Sequence, residues 1–175
     1  NGVFGYKAAD FEDAVLGAAE QQQLLIVDEQ EVSVPTTITQ AGLFSWAVFS
    51  KVQNETIYGT GQYTIDLSKV TASSISLNED TFTLTIAIPR AQLHQVTFDP
   101  SKTVLGDTDK GWLAFGDIQL TAEQTQEFQT EAVEKLTERL KQQDCFDQAD
   151  RFALLSAWET YQPLVSQVSP AYKVN

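Results

Sequence analysis

The sequence predicts an α+β fold: a mainly antiparallel sheet with an N-terminal helix and two C-terminal helices packed on one side. Two patterns lead to this prediction. Apolar residues recur at helical spacing near both ends of the chain, and they alternate with polar residues along its middle. The length of 175 residues suits one domain over 1–175, because such a chain buries roughly two thirds of its unfolded surface.

The first predicted element is a helix over residues 8–23. Phe11, Val15 and Ala18 fall on one face of this helix, which would turn toward the core. Acidic residues occupy its first turn, where the helix dipole favours negative charge.

Residues 24–96 are rich in strand patterns, of which the clearest is a hairpin over 74–89. Its turn is predicted at Asn78-Glu79-Asp80, and Pro89 would end its second strand. That strand places four apolar residues on one buried face: Phe82, Leu84, Ile86 and Ile88. Gly59-Thr60-Gly61 is interpreted as a bulge or turn, because a phosphate-binding loop needs a following helix and a strand follows instead.

Two helices close the chain, over 121–143 and 146–161. The first begins with a capping box at Thr121–Gln124. It carries an apolar stripe at helical spacing, formed by Phe128, Ala132, Val133, Leu136 and Leu140. Pro163 is expected just beyond the end of the second helix, and the tail after it has the pattern of a short last strand.

Between the strands and these helices lies an irregular segment, residues 97–120. A stretch this long is uncommon inside a compact domain, so it is either a functional loop or contains a short hidden element. Phe98, Trp112 and Phe115 lie in it and are the candidate binding residues. The alternative, which we prefer, is that these rings fix the segment to the core.

The net charge of −13 argues against binding to nucleic acids and to anionic lipid surfaces. Residues 1–34 carry seven acids and one base, and residues 117–175 carry ten acids and five bases. Such a field repels phosphate backbones and anionic lipid headgroups. We therefore expect no nucleic-acid partner, and contact with a membrane only through an anchor upstream of Asn1.

Catalytic side chains are scarce, so no enzyme activity, cofactor or metal site is predicted. His94 is the only histidine and Cys145 the only cysteine, which leaves too few ligands for zinc. No nucleophile motif surrounds either residue, and a structural role is expected for both. The segment from Asp107 to Asp109 begins like a calcium loop but lacks the later acidic ligands.

Several motifs in a fixed order resemble domain of unknown function family 4230, whose members are uncharacterised, largely bacterial and often membrane-anchored. They are GQYTIDLSKV at 61–70, TLTIAIPRAQL at 83–93, TFDP at 97–100 and FALLSAWETYQPLV at 152–165. The resemblance covers roughly 24–170 and implies a domain held at a membrane outside the cytoplasm. It implies no catalytic residues.

Three hypotheses of function follow. The preferred one is an extracytoplasmic binding or interaction module tethered upstream, which fits the absence of a start methionine and the acidic composition. The second is an oligomerising scaffold in which helix 121–143 pairs with another subunit. The third is a cation-assisted hydrolase that uses carboxylates, with residues 97–120 as its lid.

Overall fold

The computed structural model describes residues 8–36, 52, 55–102, 104–105 and 121–175. The chain divides into two compact units. Unit 1 comprises Asn1–Asp28, Tyr63–Gln92 and Asp147–Asn175, and unit 2 comprises Glu29–Gln62 and Leu93–Phe146. The expectation of one domain over 1–175 stays a prediction, because two compact units can belong to one domain.

The described elements confirm the α+β class, with an N-terminal helix and two C-terminal helices. In chain order they are α1 (Ala8–Gln21), β1 (Leu24–Pro35), β2 (Glu55–Asp66), β3 (Ile75–Asn78), β4 (Thr83–Ile86), β5 (Gln92–Phe98), β6 (Val104–Leu105), α2 (Ala122–Leu140), α3 (Gln143–Val168) and β7 (Lys173–Val174). Short 3-10 turns lie at Leu67–Lys69, Ala72–Ser74 and Pro100–Lys102. The strands form two sheets where the sequence predicted one.

Unit 2 is built around the packing of α2 on β2. In the first sheet the strand order is β1-β2-β5, and β6 pairs antiparallel with β2, so that Glu55 lies opposite Leu105. The predicted stripe of α2 is confirmed, because its side chains form a buried cluster with strand residues. The cluster comprises Val52, Ile57, Phe128, Ala132 and Leu136.

The glycines of β2 have a different role from the one predicted. Gly59 and Gly61 lie inside the continuous strand β2, so the interpretation as a turn is wrong, and a bulge within the strand stays a prediction. A Cβ atom at Gly59 would collide with Leu136 and lie 2.6 Å from the carbonyl oxygen of Thr97. A Cβ atom at Gly61 would lie 2.7 Å from a methyl carbon of Leu140. These positions lack side chains because α2 approaches the strand closely there.

The capping box of α2 is confirmed. The Thr121 hydroxyl accepts a hydrogen bond from the Gln124 backbone N–H at 3.1 Å, and the Thr121 N–H donates to the Gln124 side chain at 3.2 Å. The backbone N–H groups of Thr121 and Gln124 would otherwise be unpaired donors at the start of the helix.

Unit 1 contains the second sheet, in the order β3-β4-β7. β3 and β4 form the predicted hairpin, in which the Asn78 side chain accepts hydrogen bonds from the N–H groups of Asp80 and Thr81. Phe82 was expected on the buried face, but it lies in the turn with φ of 51° and is 51% exposed. β7, which the tail pattern indicated, runs parallel to β4.

Helix α3 is longer than predicted. It starts at Gln143 and continues through Pro163 to Val168, so the expected end before Pro163 is wrong. Pro163 lacks the N–H of one helical hydrogen bond, but its exposed ring does not disturb the core. Tyr161 and Val165 are buried on either side of it, and their burial outweighs the lost bond.

Candidate functional site

An apolar groove lies on the surface of unit 1. Its larger part has a volume of about 260 Å³, and Ile86, Ile88, Trp158 and Val174 form its walls. A smaller depression of about 200 Å³ continues it toward Pro89 and shares Ile88 and Leu154 with it. The groove therefore runs along α3, beside β4 and β7.

Hydrogen bonds to α3 fix both rims of the groove. At one end, Asp150 accepts two hydrogen bonds from the Arg90 guanidinium, at 2.7 and 3.0 Å, and one from the Ala91 N–H at 2.9 Å. At the other end, the Gln162 side chain accepts a hydrogen bond from the Val174 N–H at 2.8 Å. Since the segment at Arg90 and Ala91 and strand β7 are both tied to one helix, the groove is a preformed feature of unit 1.

Tyr161 lies at the floor of the groove and is 1% exposed. Its hydroxyl is buried and has no hydrogen-bond partner within the described residues. Burial raises the pKa of this hydroxyl, so it stays protonated as a donor. A buried hydroxyl without a hydrogen-bond partner lowers the stability of the folded state, because it has lost its hydrogen bonds to water.

The outward side of α3 continues the apolar surface. Four large apolar side chains lie there at 44–64% exposure: Phe152, Leu154, Leu155 and Trp158. Single exposed apolar residues are ordinary, but a contiguous group of this kind on one helix is typical of a surface that another molecule covers.

Unit 2 contains an unusual polar group, the side chain of Glu55. This residue is 2% exposed, and one of its carboxylate oxygens has no hydrogen-bond partner in the described part of the chain. Desolvation raises the pKa of Glu55 from 4.5 to about 7. The carboxyl group is therefore partly protonated near neutral pH.

Of the three binding residues predicted from the sequence, only Phe98 lies in the part of the chain that the structure describes. Phe98 ends β5 and packs edge-on against Phe128, with ring centroids 5.7 Å apart. This contact agrees with the alternative in which the ring fixes the chain to the core. Trp112 and Phe115 lie outside the described residues, so a binding surface formed by the three stays a prediction. The segment predicted as irregular contains the end of β5 at Phe98 and all of β6, Val104–Leu105, so it is not irregular throughout.

His94 and Cys145, the single histidine and the single cysteine of the sequence, lie in different environments. His94 is an exposed residue inside strand β5. Cys145 is buried at the start of α3, where the Arg139 guanidinium donates a hydrogen bond to its sulfur at 3.1 Å and also pairs with Asp144. Its carbonyl oxygen accepts a hydrogen bond from the Gln30 side chain at 2.8 Å.

Two wider properties concern the described ranges alone. Within 8–36, 52, 55–102, 104–105 and 121–175, no three His, Cys, Asp or Glu side chains converge as a metal-ligand set. No helix in those ranges combines the length and apolarity that crossing a membrane requires. Asp107 and Asp109, the candidate cation ligands of the sequence, lie outside them.

Sequence reasoning missed both Glu55 and the exposed face of α3. Glu55 could have been found from the alternation along β2. It lies an even number of residues from Ile57 and Tyr63, so its side chain points to the same face, which is the core. The signal for α3 was the presence of Phe152 and Leu155 away from the line of buried alanines. Both were visible in the sequence, but neither has the composition of a known site.

The fold defines an α+β protein whose last helix exposes an apolar face beside a groove. The chain matches a family model described as Protein of unknown function (DUF4230) over residues 18–174, and it belongs to that family. This confirms the resemblance noted from the motifs. No curated protein and no solved structure matches the chain.

Proposed function

We propose that the chain is a non-catalytic binding or interaction domain, held at the cell membrane on its extracytoplasmic side, and that α3 provides the contact surface. The observation that carries the proposal is the exposed apolar group Phe152, Leu154, Leu155 and Trp158 beside the groove. Removing such side chains from water is favourable by roughly 25 cal/mol per Å² of apolar surface, before the entropic cost of association is subtracted. Exposed aromatic and aliphatic anchors of this kind dominate the energetics of protein interfaces.

Photo-crosslinking in intact cells tests the contact surface. A benzoylphenylalanine in place of Leu154, which is 64% exposed, should give a discrete adduct that mass spectrometry identifies. The matched control carries the same crosslinker at Glu79, an exposed polar position in the β3–β4 turn of the same unit. Absence of any adduct at position 154, or an equal adduct at position 79, would contradict the proposal.

The proposed membrane location is supported by the resemblance to a family whose members are often membrane-anchored. A single surface cysteine tests it, because the native Cys145 is buried and gives little background labelling. The variant Gln126→Cys, at an exposed position of α2, should react with a membrane-impermeant maleimide in intact cells. Labelling only after lysis would place the chain on the cytoplasmic side and overturn this part of the proposal.

A further inference from the structure

The exposed face of α3 is symmetric about one residue. Phe152, Leu155 and Trp158 follow one another at intervals of three residues, so they form a continuous ridge on the helix surface. Arg151 and Glu159 lie four residues before and after Leu155, on opposite sides of this ridge. Both are exposed, and neither makes an ion pair within the described residues.

We propose that this face binds the same face of a second copy of the chain, with the two α3 helices antiparallel and a two-fold axis at Leu155. The inference rests on the proposed function and names its partner. In a two-fold interface of this kind, each residue meets the one equally far from the axis on the other side. Arg151 then faces Glu159 of the second copy, and the same pair occurs twice. Phe152 likewise faces Trp158.

The charges select the antiparallel orientation. In a parallel pairing, Arg151 would face a second Arg151 and Glu159 a second Glu159, and like charges brought together destabilise an interface. In the antiparallel pairing, both contacts are between unlike charges. A surface whose charges reverse sign about a central apolar residue is complementary to itself, and this favours a second copy over an unrelated partner.

The helix predicted to mediate self-association has its apolar stripe buried within its own unit. The apolar stripe of α2 is buried against β2 in unit 2, including Phe128, Ala132 and Leu136. The apolar side chains of α3 are available, since they are 44–64% exposed. One helix face is smaller than the interface of a typical stable complex, which buries about 1,600 Å² in total. We therefore expect a weak, concentration-dependent dimer.

Charge reversal with purified protein tests the pairing. Arg151→Glu gives a copy whose two flanking charges are both negative, and Glu159→Arg gives one whose flanking charges are both positive. Each variant alone should dimerise on the order of tenfold more weakly than wild type in sedimentation velocity, because both unlike contacts become like contacts. An equimolar mixture of the two variants should recover the wild-type association, since every contact is then between unlike charges.

Recovery by mixing cannot come from misfolded protein, so it separates the interface from a folding defect. A wild-type chain that stays monomeric across the whole dilution series would overturn the inference. The same holds if the separate variants associate as strongly as wild type, or if the mixture stays as weak as its components.

Cysteine crosslinking tests the register independently. Leu155→Cys places two thiols at the axis and should form a disulfide-linked dimer under mild oxidation. Glu159→Cys is the matched control: two such residues lie about 12 Å apart along the helices, beyond the roughly 7 Å Cα separation that a disulfide spans. A disulfide-linked dimer of the Glu159→Cys variant, with none of the Leu155→Cys variant, would refute the antiparallel register.

Photo-crosslinking from position 154 distinguishes the proposed interaction domain from the proposed self-association. An adduct that contains a second copy of the chain supports both. An adduct with a different protein leaves the proposed interaction domain standing and overturns the self-association.

Discussion

Replacing Glu55 with glutamine should remove a pH-dependent loss of stability. The carboxyl group of Glu55 is 2% exposed, with one oxygen unpaired in the described chain, and desolvation raises its pKa from 4.5 to about 7. The folded state therefore holds this proton more tightly than the unfolded state does. The free energy of unfolding is unaffected by the group below pH 4.5, and it falls as the pH rises through about 7.

The size of this loss follows from the two pKa values. Each tenfold change in proton affinity corresponds to about 1.4 kcal/mol, so raising the pKa from 4.5 to about 7 costs about 3 kcal/mol once the group is ionised. Glutamine has the shape of the protonated side chain and cannot ionise. We expect Glu55→Gln to match wild type at acidic pH and to exceed its stability by about 3 kcal/mol at alkaline pH.

Urea unfolding between pH 5 and 9, followed by circular dichroism, measures this difference directly. Glu79→Gln is the control, because it removes the same charge from an exposed turn and so reports only the change in net charge. The reasoning is refuted if the difference between Glu55→Gln and wild type does not change with pH. It is also refuted if Glu79→Gln reproduces the whole effect.

Four further predictions concern packing, hydrogen bonding and capping. Gly59→Ala should lower the free energy of unfolding by about 1–3 kcal/mol in urea titrations, because the new methyl group collides with neighbours. Gly17→Ala in α1 should instead raise it by about 0.5–1 kcal/mol, since its Cβ meets nothing within 4 Å. Asp150→Ala should cost about 1–3 kcal/mol by leaving the buried Ala91 N–H unpaired, while Asp150→Asn, which keeps an acceptor oxygen, should cost less. Thr121→Ala should cost about 0.5–2 kcal/mol by removing the cap of α2, measured as a lower Tm.

Elements defined by local signals were predictable from the sequence. The capping box at Thr121, the stripe of α2 and the hairpin turn at Asn78 each depend on residues within a few positions of one another. Their geometry is set by backbone hydrogen bonds and helical or strand periodicity, both of which the sequence displays.

Elements that depend on distant residues were not predictable in the same way. Pro163 indicates a helix end by its local chemistry, yet α3 continues because Tyr161 and Val165 are buried and Gln162 bonds to β7. Gly59 has the local character of a turn, but its role comes from Leu136, more than seventy residues later in the chain.

The candidate surface was missed for a related reason. Apolar residues surround much of α3, so periodicity alone does not say which of them the rest of the chain covers. Only the packing of the helix, which buries Ala149, Ala153 and Ala157, leaves Phe152 and Leu155 outside. Glu55 was missed although its position is in phase with core-facing residues, because the glycines of β2 carry no side chains and so interrupt the alternation of apolar and polar residues.

The net charge of −13 connects the proposed dimer to the proposed location. Two copies carry the same excess of negative charge, so they repel each other at separations up to about a Debye length, roughly 10 Å at 0.1 M salt. The two Arg151–Glu159 contacts act only at close range and cannot offset this repulsion during approach. A shared membrane anchor would strengthen the weak dimer expected of the free domain, because tethering two copies to one surface raises their effective concentration without any new contact. Self-association through α3 should therefore be stronger for the anchored chain than for the free domain, and the free domain should associate more readily when salt screens its charge.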